Sequence, residues 1–135
     1  ARDQAEWAIT LAEEGTAGTF NSASPTPPFG FGDLLEATVR AVGPRGTTLS
    51  WADPEWLVQQ GETFQSLPLW TGPEPEWVLA ADTTAAISTG LAPRPLTDTI
   101  TDTWEWIKAE QPPLVPGWGI SSQREAELLR NRIPG

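Results

Sequence analysis

Arg2-Asp3-Gln4-Ala5-Glu6-Trp7-Ala8-Ile9-Thr10-Leu11-Ala12-Glu13-Glu14 sets the character of the chain. Ala5, Ala8, Ile9 and Ala12 recur at helical spacing, and Trp7 and Leu11 widen that face, so the spacing predicts an amphipathic helix over 3–14. Gly15 and Gly18 end it. Gly18-Thr19-Phe20-Asn21-Ser22 then reads as a short strand, and Ala23 to Gly30, with three Pro, as loop.

Helical spacing returns over 31–42, with Leu35, Val39 and Val42 on one face, until Gly43-Pro44 stops it. Thr47-Thr48-Leu49-Ser50-Trp51 alternates as a half-buried strand does. Asp53-Pro54, an N-cap with Pro at the first helical position, opens a short helix that ends at Gly61. Residues 62–81 read as irregular. Asp82 is expected to cap a short helix through Thr89, with Gly90 after it. Thr97 opens a helix over about 98–110 whose inward face is Ile100, Trp104 and Ile107, and Pro112-Pro113 ends it. Ser122-Gln123-Arg124-Glu125 has the form of a capping box for a last helix carrying Leu128 and Leu129. The expected class is α+β: several helices around a minimal two-stranded parallel element joined by a right-handed crossover.

Composition narrows the chemistry. The 135 residues, about the size of one domain, hold no His, Cys or Tyr and a single Lys, Lys108, beside eight Trp. The usual proton shuttles and nucleophiles are therefore scarce. A net charge of −10 repels nucleic-acid phosphates and anionic membranes, and no basic cluster offsets it. Absent Cys excludes disulfides and thiolate metal sites and fits a reducing compartment, so the expected location is cytoplasmic. No apolar run reaches the roughly 18–20 residues of a membrane span.

Four features of the sequence bear on chemistry. Asp98 and Asp102, four apart, read as carboxylates favoured by a helix dipole; an acid–base pair or metal site is the sharper alternative. Gly30-Phe31-Gly32 starts like a dinucleotide fingerprint, but Leu35 stands where the third Gly belongs, so it reads as a Gly-rich helix start. Trp7, Trp51 and Trp104 are expected in the core, whereas Trp70 and Trp77 wall a ligand pocket or plug an interface. Arg94, between Pro93 and Pro95, clamps an anionic group or pairs with a nearby acid.

Read in order, these pieces resemble the C-terminal part of extended short-chain dehydrogenase/reductases, the NAD-dependent epimerase/dehydratase group. Arg2-Asp3-Gln4-Ala5-Glu6-Trp7 is similar to the helix that opens that part, and Gly18-Thr19-Phe20-Asn21 to its G-x-[FY]-N strand. Phe31-Gly32-Asp33-Leu34-Leu35 and Ala81-Asp82-Thr83-Thr84-Ala85 resemble its next two segments, and Gly90-Leu91 through Trp106 its closing pattern. Residues 119–129 are similar to the tail of actinobacterial reductase-like members. The family's Gly-rich loop and catalytic Tyr have no counterpart here, and Lys108 lies outside any Y-x-x-x-K motif.

The resemblance implies one C-terminal substrate-binding segment over 1–135, part of a larger chain, with no catalytic, cofactor-binding or metal-binding residue of its own. NAD(P) would sit in the parent's Rossmann segment. Phe20, Asn21, Trp70, Trp77 and Arg94 are the implied substrate-binding residues, for a small molecule. The implied protein partner is that Rossmann segment or a second copy, meeting an exposed apolar face built from Trp7, Leu11 and Phe20. The reading from another class is a non-enzymatic interaction module derived from such a reductase.

Overall fold

The computed structural model describes residues 2–23, 30–73 and 81–132. Among these, six helices follow one another: α1 Arg2–Glu13, α2 Phe31–Val42, α3 Pro54–Gln59, α4 Thr84–Ser88, α5 Leu96–Glu110 and α6 Ser122–Asn131. The described residues contain no strand, so the expected α+β class with its parallel two-stranded element is corrected to a helical one. The stretches 18–22 and 47–51 have neither helix nor strand. Two short strands form a poor sheet, and polar groups of these stretches meet partners elsewhere in the chain instead. The Gln4 amide donates to the Ser22 carbonyl at 3.2 Å, the Asn21 amide to the Asp82 carbonyl at 3.1 Å, and Arg132 to the Trp51 carbonyl at 3.2 Å.

Helix ends follow local chemistry. The Asp53 carboxylate accepts the Trp56 N–H at 2.8 Å, with Pro54 in the first helical position, as its sequence predicts. At α2 the Gly30 N–H donates to the Asp33 carboxylate at 2.8 Å, so the Gly-rich stretch starts a helix. The cap of α6 is Ser121, whose hydroxyl accepts the Arg124 N–H at 3.1 Å, one residue before the expected Ser122. Asp82 accepts the Thr84 N–H at 2.9 Å, although the helix N-cap is Thr83. After α5, Gln111 turns left-handed at φ 44° and Pro112-Pro113 prevents continuation. The Val115 carbonyl then accepts the Trp118 N–H at 3.1 Å, with Pro116 and Gly117 (φ 81°) in the middle of the turn. That is a type II arrangement, which calls for Gly at its third residue.

The main apolar cluster joins distant parts of the chain. Trp7 packs with Ala86 and Leu91, flanked by Leu11 and Phe20. The Phe20 ring meets Trp7 edge-on at 5.4 Å, and the Trp7 indole N–H donates to the Thr89 carbonyl at 3.0 Å. A second tie holds α6. Glu62, buried, receives the Arg124 guanidinium at 2.8 Å, and Arg124 also donates to the Gln60 carbonyl at 2.6 Å. Beside it the Gly119 N–H bonds the Gln65 carbonyl at 2.9 Å, and Phe64 meets Trp118 edge-on. α2 packs against α5.

Two burial expectations are corrected. Trp7 is buried, as expected of a core residue, and Leu11 and Phe20 are half-buried, so the apolar face that the resemblance implied would be open is covered by α4 and Leu91. Conversely, Trp104 is 41% exposed and Ile107 38%, because α5 meets α2 and leaves much of its surface open. Trp51, also expected in the core, is exposed.

Trp7→Ala is therefore expected to cost about 3–5 kcal/mol, as large-to-small aromatic core changes do. Trp104→Ala should cost at least ~1 kcal/mol less, since its ring already meets water. Urea melts of the two variants measure the difference, and equal losses would place Trp104 in the core after all.

Candidate functional site

Each implied substrate-binding residue has a definite place except Trp77, which lies outside the described residues. Phe20 is a half-buried wall of the Trp7 cluster. Asn21 ties its segment to Asp82. Arg94 is held against α1: its backbone N–H donates to one Asp3 oxygen at 3.1 Å and its Nε to the other at 2.6 Å. Its Nη1 reaches the Asp102 carboxylate at 3.4 Å, which also pairs with Arg2. Of the two readings of Arg94, the ion pair is the one formed. Trp70 sits half-buried at the end of a turn closed by its N–H to the Leu67 carbonyl at 3.0 Å, just after Leu69, a non-Gly residue at φ 73°. Phe20, Asn21 and Arg94 thus gather around α1 and the chain that flanks α4, while Trp70 belongs to the segment that follows α3.

A groove of about 450 Å³ opens beside Arg94. Thr99, Asp102, Thr103 and Trp106 line it from α5, and Arg2 and Arg94 from the opposite side. Spacing explains the α5 wall, because 99, 102, 103 and 106 fall on one helical face. Pro93 and Pro95 limit the backbone freedom of the segment that presents Arg94. Sequence spacing names Asp102 and Arg94 separately but does not bring them to one groove, because its clearest signal on α5 is the apolar face. The polar signal was there in Thr99, Asp102, Thr103 and Trp106.

The electrostatics are those of a filled network. The hydrogen bond from Arg94 holds the Asp3 carboxyl below its usual range, and the same contact pushes Arg94 further up. Asp102 is shared by two guanidinium groups, whereas Asp98 receives only a long 3.5 Å contact from the Thr97 hydroxyl. The two aspartates therefore do not act as a pair. Among the described residues no three His, Cys, Asp or Glu side chains stand together to hold a metal. The groove offers hydroxyls, an indole face and paired charges. Such groups can hydrogen-bond to and stack against a polar molecule.

Among the described residues no helix is long and apolar enough to cross a membrane. Comparison with protein-family models, curated proteins and solved structures finds no match.

A pH dependence follows from Asp3. Its folded-state pKa is depressed, so its contribution to stability is present above the ordinary carboxylate value and is lost as pH falls through the depressed one. Asp3→Asn should therefore weaken the fold most at neutral pH, and the gap to wild type should close in acid. Urea melts at pH 7 and near pH 3 check this; a gap that is constant with pH would remove Asp3 from the account.

Proposed function

We propose that this chain is the substrate-binding part of an NAD(P)-dependent epimerase or reductase of the extended short-chain dehydrogenase type, and that it performs no catalysis alone. The observation that supports the reading is the exposure of large apolar side chains on a helical scaffold whose sequence holds no His, Cys or Tyr. Trp104, Trp106 and Ile107 on α5 stand 41%, 54% and 38% exposed. In this reading a Rossmann segment carrying NAD(P) covers part of that surface. The implied apolar interface moves from Trp7, Leu11 and Phe20 to α5.

The cofactor, when bound to that segment, supplies hydride chemistry. The residues here hold a small substrate beside it. Thr99 offers a hydroxyl, Thr103, whose O–H donates to the Thr99 carbonyl at 2.7 Å, offers its oxygen as an acceptor, Trp106 offers an aromatic face, and the Arg94–Asp102 contact fixes the far wall. Closing such a groove would exclude water from the reaction. The cytoplasm is the compartment this reading implies.

One observation favours the second reading, a non-enzymatic interaction module. Phe20, Asn21 and Arg94 already have partners within the chain, which leaves them less free to meet a substrate.

Two measurements bear on the choice. Titrating the isolated chain with NADH while following Trp fluorescence should give no saturable change; micromolar saturation would overturn the claim that it lacks a cofactor site. The encoding frame upstream of Ala1 should contain a Gly-rich loop and a Y-x-x-x-K segment. An initiation codon directly before Ala1 would leave the interaction module.

A further inference from the structure

Between α5 and α6 the chain runs Gln111-Pro112-Pro113-Leu114-Val115-Pro116-Gly117-Trp118. Proline fixes φ near −65° at 112, 113 and 116. A following proline also drives residues 112 and 115 to extended or polyproline II backbone. Covalent chemistry alone thus biases this strap to polyproline II, and residues 111–115 have neither helix nor strand.

Both ends of the strap are fixed. Gln111 caps α5 through its N–H to the Ile107 carbonyl at 3.0 Å. At the other end the Val115–Trp118 turn leads to the Gly119–Gln65 hydrogen bond and the Phe64–Trp118 ring contact. Between these anchors the side chains face outward. Leu114 is 93% exposed and Val115 61%, and Pro113 and Pro116 are exposed, while Pro112 is half-buried.

Polyproline II has three residues per turn. Pro113 and Pro116 therefore share one edge of the strap and Leu114 forms the next. The third edge carries Pro112, half-buried where the strap leaves α5, and Val115, 61% exposed. An outward P-x-x-P edge with an aliphatic neighbour is the form that aromatic-lined grooves bind, because the ligand loses little entropy on docking.

We propose that Pro112–Pro116 is a docking strap for a partner domain with an aromatic-lined polyproline groove. Charge narrows the partner further. The chain carries −10, and exposed Glu110 precedes the strap, so the groove is flanked by basic residues. A second copy of this acidic chain is the poorer occupant, since like charges oppose it. The proposal stands apart from the reductase reading: it concerns a different surface, and the upstream frame bears on that reading alone.

The test titrates the full chain into a panel of isotope-labelled SH3 and WW domains, with basic-flanked and acidic-flanked grooves, followed by NMR. Saturable shifts confined to the aromatic groove of basic-flanked members are expected. They should weaken about tenfold or more with a Pro113→Ala, Pro116→Ala double variant. Because both rings are exposed, circular dichroism of that variant should match wild type. Absence of shifts across the panel, or shifts that survive the double variant, would overturn the proposal. So would concentration-dependent self-association of the chain that the double variant abolishes, which would give the strap to a second copy.

Discussion

Trp7 must be buried and have its indole N–H satisfied in the same place, and that double requirement positions the first helix. A buried indole without a partner costs what an unmade hydrogen bond costs. The chain meets both needs at the segment that ends α4: Ala86 and Leu91 cover the ring, and the Thr89 carbonyl takes the proton. Gly90 at φ 95° turns the backbone between those contacts. Residues more than eighty positions apart are thereby joined in one cluster.

Charged ties then fix what the small core leaves free. Asp3 receives both the backbone and the guanidinium of Arg94, which binds α1 to the segment leading into α5. Asp102 adds Arg2 to the same network. Arg124 does a similar job for α6, meeting Glu62 and the Gln60 carbonyl beyond α3. Removing one member of a buried pair strands the other, so such ties specify an arrangement even where their net stabilisation is small. The α5 surface gains little cover from this scheme. Its polar face becomes one wall of the groove at Arg94, while Trp104 and Ile107 stay near the solvent.

Local chemistry was legible in the sequence, and long-range cover was not. Asp53-Pro54 and Gly43 marked helix ends because caps and breakers act within a turn of where they stand. The span of α2 followed from its spacing. The strand reading of 18–22 and 47–51 failed because alternation describes a half-buried extended chain whether or not a ladder forms. Gln4, the Asp82 carbonyl and Arg132, all outside those stretches, provide hydrogen bonds to them instead. Trp7 and Trp104 looked alike by periodicity, yet only Trp7 has α4 and Leu91 above it. Arg94 was singled out for its rigid setting between prolines, but its carboxylate partners lie on α1 and α5, and no local pattern names them.

The proposed function requires that the apolar side chains left open on α5 form an interface that a partner covers. Light scattering of the purified chain, with an apolar dye added in parallel, tests it most directly, because exposed patches of this kind associate or bind dye. The account predicts a mass above the 14.6 kDa of one chain, or a dye signal from a monomer. A 14.6 kDa monomer that binds no dye would contradict it.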